Sequence, residues 1–130
     1  MDKGKKPIRK RRILLVDDDL DMRELVKSIL DANVHEIVEA NNGAEAIVLV
    51  AYRRFDLVMT DYKMPLVNGS ELAVAIKELV PSQPILMLTG YGNALRQPNP
   101  VDAVVRKPFS VEHLRATVAK ILSASDHTTT

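Results

Sequence analysis

The clearest structural signal in the chain is a run of four apolar residues followed by three aspartates, Ile13-Leu14-Leu15-Val16-Asp17-Asp18-Asp19. A short, unbroken apolar run is typical of a β-strand that is buried on both faces of a sheet. From Leu20 onward the apolar residues recur every three or four positions, which predicts an amphipathic helix that Asp19 can cap. Its apolar residues are Met22, Leu25, Val26, Ile29 and Leu30. The stretch therefore predicts a buried strand that leads directly into a helix.

The alternation of strand and helix patterns continues to the end of the chain. Further apolar stretches predict strands at residues 34–40, 56–60, 85–88 and 101–105. Helix starts are predicted where a capping residue precedes an apolar periodic segment. The capping residues are Asn42 and Asn68, each with a glutamate three positions later, and Ser110. Five strands that alternate with helices predict an α/β fold, a doubly wound five-stranded parallel sheet with helices on both faces.

The composition limits the class of protein. A chain of 130 residues with 46% hydrophobic residues is the size of one domain and can bury its own core. It has no cysteine, which excludes disulfides, thiolate metal sites and thiol catalysis. Its longest apolar run, residues 46–52, is too short to span a bilayer, and its N-terminus does not read as a secretory signal. We therefore expect a soluble, cytoplasmic domain without a membrane partner.

The charge is divided unevenly along the chain. Residues 1–12 carry seven basic side chains against Asp2, a net charge of +6, whereas the rest of the chain has a net charge of −5. We expect residues 1–12 to form a basic flexible tail that mainly aids solubility. Such a tail can bind nucleic acid only weakly, because no aromatic residue lies within the basic run.

Polar residues follow four of the five predicted strands. The first strand ends in three aspartates, the third in Asp61, the fourth in Thr89, and the fifth is followed by Lys107. Right-handed crossovers place the carboxyl ends of parallel strands at one edge of the sheet, where ligands of such folds bind. Carboxylates gathered there repel one another, and a hard divalent cation with all-oxygen ligands relieves that repulsion. The pattern predicts an Mg²⁺ site at this edge.

Four motifs together resemble the response-regulator receiver domain of two-component signalling. They are the run 13–19, the segment Leu57-Val58-Met59-Thr60-Asp61-Tyr62-Lys63-Met64-Pro65 with Gly69, the segment Leu88-Thr89-Gly90-Tyr91, and Lys107-Pro108-Phe109. The resemblance covers about residues 13–122. It implies a chemotaxis-regulator-like (flavodoxin-like) sheet with strand order 2-1-3-4-5. It also defines the domains: the receiver at 13–123, between the basic tail and a disordered tail at 124–130.

The resemblance implies a role for each polar residue at the sheet edge. Asp61 is implied as the phosphoacceptor, taking a phosphoryl group from a sensor histidine kinase or a phosphotransfer protein. Mg²⁺ is implied to bind Asp18 and Asp61, Asp17 through a water, and the backbone carbonyl of Lys63. Lys107 and Thr89 are implied to contact the phosphoryl oxygens, and the Lys107–Pro108 bond is expected to be cis. Phosphorylation would then switch a surface that a downstream effector protein reads. The implied protein is a signalling phosphoacceptor with slow autodephosphorylation, not an enzyme with a separate substrate.

The chain departs from the family pattern in two places. Val104 stands where receivers usually carry a tyrosine or phenylalanine, so there is no ring to rotate on activation. The interval between Thr89 and Lys107 is short and contains Pro98 and Pro100, which disfavour helix. We expect the fourth helix, between the fourth and fifth strands, to be short, irregular or absent.

Two further residues bear on the lifetime of a phosphorylated state. Lys63 and Tyr91 follow Asp61 and Thr89 by two positions, where family members flank the path of the hydrolytic water. Bulky side chains there predict slow loss of phosphate. The alternative is that both side chains point to solvent.

Two other functions are compatible with parts of the pattern. A degenerate receiver would act only as a protein-binding module, although the chain keeps all five residues of the implied site. An aspartate-nucleophile phosphatase would use Asp17 and Asp19, which have the right spacing, but the threonine that normally follows is missing. The sequence leaves open whether the domain stands alone or belongs to a larger regulator or hybrid kinase.

Overall fold

The computed structural model describes residues 10–30, 34–90 and 100–127. Strands and helices alternate as predicted as far as β4, and the described elements are β1 (Arg12–Val16), α1 (Leu20–Ile29), β2 (Glu36–Ala40), α2 (Gly43–Tyr52), β3 (Leu57–Asp61), α3 (Gly69–Leu79), β4 (Ile85–Thr89), β5 (Ala103–Arg106) and α4 (Val111–His127). All four strand pairings are parallel, and the order is β2-β1-β3-β4-β5. The predicted fold class and the strand order implied by the resemblance are both confirmed.

Helices pack on both faces of the sheet, which explains why β1, β3 and β4 are almost entirely apolar and buried. In β1, Ile13 and Leu15 face a core that α1 and α4 complete, whereas Leu14 and Val16 face a second core beneath α2 and α3. All four of these side chains are at most 1% exposed. Burial on alternating sides follows from the two-residue period of a strand.

The start of the fold lies earlier than predicted. Arg11 and Arg12, which we assigned to the flexible tail at 1–12, are part of the folded body. The backbone N–H of Arg12 donates to Asp56 Oδ2 at 2.8 Å, and its Nε lies 3.1 Å from Glu36 Oε1. Arg11 is only 6% exposed, with a guanidinium nitrogen 3.9 Å from Asp56 Oδ1. The carboxylates that neutralise these arginines come from distant parts of the chain, so the local charge run did not reveal them.

The predicted helix caps are largely confirmed. Asp19 caps α1, and Asn68 forms a complete capping box with Glu71 at α3. Asn42 caps α2, but Glu45 accepts from the N–H of Asn41, at 3.4 Å, and not from the cap residue itself.

Two other expectations need correction or lie outside the described residues. α4 continues beyond the predicted boundary at Ser123 to His127, because residues 124–127 contain neither proline nor glycine. The segment 91–99, which includes Tyr91 and most of the interval where we expected a short or irregular helix, lies outside the described residues, as do 1–9 and 128–130. None of the helices in the described ranges is long and apolar enough to cross a membrane.

Candidate functional site

The carboxyl ends of β1, β3 and β5 meet at a cleft of about 320 Å³ at one edge of the sheet. Its lining residues are Asp17, Asp18, Asp19, Met22, Asp61, Lys63, Gly90 and Lys107. Of the six residues we predicted for the site, five therefore line one cleft. The sixth, Thr89, ends β4 but is only 1% exposed and is not among the lining residues.

Three carboxylates converge in the cleft. Asp17, Asp18 and Asp61 each contribute an oxygen, and these oxygens lie within 4.8 Å of one another. Three hard oxygen donors at this spacing suit a divalent cation such as Mg²⁺, which completes its octahedron with waters or phosphate oxygens. The donor set therefore fits the predicted metal.

Asp17 is the most buried member of the cluster, at 2% exposed. Burial raises its pKa to about 6, and the nearby charge of Asp61 acts in the same direction. The N–H of Asp19 opposes the rise by donating to Asp17 Oδ1 at 2.9 Å. A carboxylate whose charge is disfavoured in this way gains most from a bound cation.

Lys107 lines the same cleft and contacts the carboxylate cluster. Its Nζ lies 2.8 Å from Asp61 Oδ1, and both side chains are largely buried. Its backbone N–H donates to the carbonyl of Thr89 at 2.8 Å, and the Lys107–Pro108 bond is cis, as expected. The cleft thus holds one ammonium group in direct contact with the carboxylate that we predicted as the phosphoacceptor.

Gly69 allows α3 to begin directly beneath Asp61. A Cβ atom at this position would lie 2.5 Å from the carbonyl oxygen of Asp61, which is closer than real Cβ atoms approach. The N–H of Gly69 also donates to the carbonyl of Tyr62 at 2.8 Å. The glycine quoted among the sequence motifs is therefore explained by a close backbone approach at the candidate site.

The sequence interpretation missed a buried arginine behind the cleft. Arg23 in α1 is 8% exposed, and its guanidinium donates to the backbone carbonyl of Asp17 at 2.5 Å. Its Nε lies 2.8 Å from Glu39 Oε1, while Lys27 Nζ lies 3.0 Å from the other oxygen of Glu39. This network ties α1 and β2 to the loop that carries Asp17. The available signal was position, since Arg23 lies one turn before Lys27 and opposite Leu25, which is 47% exposed and leaves the side of Arg23 facing the fold.

Asp19 lies at the start of α1, where it caps the helix, and Val104 lies on the edge strand β5. The Asp19 carboxylate accepts from the N–H of Asp21 at 2.9 Å and of Met22 at 3.4 Å, so it works as the helix cap. That role disfavours the phosphatase alternative, which needs this carboxyl group as an acid. Val104 lies on β5 and is 40% exposed.

Comparison with known proteins identifies a matching family and several relatives. The model of the response regulator receiver domain matches residues 13–119. The response regulator receiver protein CpdR of Brucella abortus is 34% identical over 88% of this chain and 99% of its own length. Response regulator MprA of Mycobacterium leprae is 34% identical over 85% of this chain, which spans only about half (50%) of MprA. The crystal structure of a CheY-like receiver domain protein from Methanospirillum hungatei matches with a TM-score of 0.83 and 28% identity, over 92% of this chain and 98% of the other.

Proposed function

The chain belongs to the response regulator receiver family, and we propose on this basis that it accepts a phosphoryl group on Asp61. The observation that carries the proposal is the contact between Lys107 Nζ and Asp61 Oδ1 at 2.8 Å, beside two further carboxylates. Among the three clustered carboxylates, Asp61 is the one that this ammonium contacts. An ammonium at that position can stabilise the negative charge that phosphorylation adds to the side chain.

The reaction needs little more than positioning and charge neutralisation. A carboxylate oxygen of Asp61 forms a bond to phosphorus as the bond from phosphorus to the donor's imidazole nitrogen breaks, and the electron pair of that bond stays with the imidazole. Lys107 then moves from the Asp61 carboxylate to a phosphoryl oxygen. We propose that the Thr89 hydroxyl turns from its buried position at the end of β4 to bond a second one.

We propose that the acidic cluster holds Mg²⁺ through Asp18, Asp61 and the backbone carbonyl of Lys63, with Asp17 bound through a water. When bound, the cation would supply positive charge to the phosphoryl oxygens and reduce repulsion among the carboxylates. Two hydrogen bonds position Asp17. The N–H of Asp19 donates to its carboxylate, and the guanidinium of Arg23 donates to its backbone carbonyl. Lys63 is exposed and lines the cleft, a position compatible with slowing the approach of water to the acyl phosphate.

The partners follow from this chemistry. A sensor histidine kinase or a phosphotransfer protein would supply the phosphoryl group, and a downstream effector protein would bind the phosphorylated form. The alternative remains a receiver that binds partners without accepting phosphate. The intact cluster and its lysine favour the phosphoacceptor, because a purely structural surface does not need three carboxylates within 4.8 Å.

Intact mass spectrometry distinguishes these two functions. The chain is incubated with Mg²⁺ and acetyl phosphate, beside an Asp61→Asn variant and a sample in EDTA. We expect one added phosphoryl group that depends on both Asp61 and Mg²⁺. A folded wild-type chain that binds Mg²⁺ but gains no phosphoryl group would favour the protein-binding module.

A further inference from the structure

Helix α2 is apolar on all sides. Its sequence is GAEAIVLVAY, and Glu45 is its one charged residue. The inner side packs into the core through Ala46 and Val50, but the outer side is equally apolar, with Val48 56% and Tyr52 84% exposed. A helix that is apolar all round is normally covered all round. None of the described residues covers this outer face, so the face indicates a partner.

The arrangement of residues on the outer face is suited to pairing with itself. At about 100° per residue, Val48 lies at the centre of the exposed arc. Tyr52 and Glu45 lie on one side of Val48, and Ala44 and Ala51 lie on the other. One side therefore carries a large aromatic residue and a carboxylate, and the other carries two small residues.

We propose that α2 pairs antiparallel with α2 of a second copy of this chain, about a twofold axis beside Val48. Such an axis keeps each side of the face opposite the same side of its copy. Tyr52 then lies at the level of Glu45 in the second copy, where its hydroxyl can donate to the carboxylate. Ala44 lies at the level of Ala51 in the second copy, and these small side chains allow the helices to approach closely.

The charges at the two ends of α2 support the antiparallel direction. Arg54 and Lys10 are exposed beyond its C-terminal end, where they line a surface cleft of about 1010 Å³. Neither has a carboxylate within ion-pair distance among the residues that the structure describes. Glu45 lies near the N-terminal end, and among the described residues its carboxylate accepts only the long bond from the N–H of Asn41, at 3.4 Å. Antiparallel pairing brings the Arg54 of each copy toward the Glu45 of the other.

The arginines near the C-terminal end of α2 do not favour nucleic acid over a second copy of the chain as the partner. Among the described residues, Arg11, Arg12 and Arg53 already lie against Asp56 or Glu36, which leaves Arg54 and Lys10 as the cations at this end without a carboxylate in contact. The aliphatic centre of the face also matches a protein surface and not a phosphate backbone. No outer residue of α2 lines the Asp61 cleft, so a dimer formed in this way leaves that cleft open.

One helix face from each copy is smaller than the roughly 1,200–2,000 Å² that stable complexes bury. We therefore expect a reversible dimer in sedimentation equilibrium of the full chain at high protein concentration. Val48→Asp places two like charges at the axis and should weaken the dimer at least about tenfold. Val111→Asp is the matched control, because Val111 is 39% exposed on α4, on the other face of the sheet, and should leave the dimer unchanged.

Cross-linking and a charge swap locate the interface. The chain has no cysteine, so Val48→Cys gives a single thiol that a short bis-maleimide should join into a dimer, whereas Val111→Cys should not cross-link. Arg54→Glu should weaken the dimer about two- to tenfold, and adding Glu45→Arg should restore it.

Four results would overturn the proposal. They are a monomer at every concentration, a dimer that Val48→Asp does not weaken, equal cross-linking of the two cysteine variants, and self-association that nuclease treatment abolishes. The last result would assign the cationic end of α2 to nucleic acid. Circular dichroism shows whether each variant is folded. We expect all of them to fold, because the substituted side chains are exposed.

Discussion

Lys107 Nζ lies 2.8 Å from Asp61 Oδ1, although the two residues come from strands that β4 separates in the sheet. The contact exists because parallel strands deliver their carboxyl ends to one edge. It places a cation beside the predicted phosphoacceptor, in the cleft that Asp17 and Asp18 also line. Several expected outcomes depend on this arrangement.

Removing the Lys107 ammonium should separate phosphorylation from metal binding. Lys107→Met should slow phosphorylation by acetyl phosphate about 10²-fold, because a group that stabilises the transferring phosphoryl is lost. The same change removes a positive charge beside the carboxylates, so Mg²⁺ affinity should rise about five- to tenfold. Calorimetric titration measures the affinity, and Lys120→Met on the exposed side of α4 is the control. A fall in Mg²⁺ affinity would contradict the proposed geometry.

Replacing the buried carboxylate should stabilise the metal-free fold. The pKa of Asp17 is about 6 in the fold against an ordinary 3.8, so its charge destabilises the folded state at neutral pH. Asp17→Asn should raise the free energy of unfolding by about 1–3 kcal/mol in EDTA at neutral pH. The gain should shrink as the pH falls from about 6 toward 3.8, because the wild-type carboxyl is then protonated in the fold. Urea unfolding measures the gain at neutral pH and its decrease in acid. An unchanged or lower stability of the variant in EDTA would contradict the view that the Asp17 charge destabilises the metal-free fold.

The Glu39 network should stabilise the fold with the opposite dependence on pH. Burial raises the pKa of Glu39, but the hydrogen bonds from Lys27 and Arg23 outweigh burial and leave the pKa lowered. The stabilisation is therefore present above the ordinary value of 4.5 and is lost as the pH falls through the lower folded value. Glu39→Gln should cost about 1–2 kcal/mol at neutral pH and much less in acid. Glu78→Gln, on the exposed side of α3, is the control, and equal losses in the two variants would exclude a special role for Glu39.

A methyl group at Gly69 should disturb the site and the fold together. The added Cβ would lie 2.5 Å from the Asp61 carbonyl, so the start of α3 or the end of β3 must shift. Gly69→Ala should lower the free energy of unfolding by about 1–3 kcal/mol and slow phosphorylation of Asp61. Gly90→Ala is the matched control for stability, because no described residue lies within 4 Å of its added Cβ. If both variants unfold alike, the close approach is not what Gly69 provides.

Local patterns in the sequence were sufficient for the elements but not for every contact. The strands could be predicted because runs such as residues 13–16 are buried on both faces. The helix starts could be predicted because Asp19 and Asn68 are N-cap residues of the helices that follow them. Asp17, Asp18, Asp61 and Lys107 could be predicted because they follow strands whose ends must meet, whereas Lys63 was implied by the family resemblance. Strand order was implied by the family resemblance and not by the pattern itself.

Long-range pairing could not be predicted in the same way. Arg11 and Arg12 look like part of a solvated basic run until Asp56 is brought against them from the start of β3. Arg23 likewise looks like a surface residue of α1 until Glu39 and the carbonyl of Asp17 surround it. In each case a partner far away in sequence decides whether a charge is buried.

Reduction with borohydride identifies which aspartate carries the phosphoryl group. The chain is phosphorylated with acetyl phosphate and Mg²⁺, and sodium borohydride then reduces the acyl phosphate to an alcohol, which converts the modified aspartate to homoserine. Peptide mass spectrometry identifies the converted position. We predict homoserine at residue 61 and none at 17 or 18. Homoserine at either of the other two aspartates, or at no position in a folded chain that binds Mg²⁺, would contradict it.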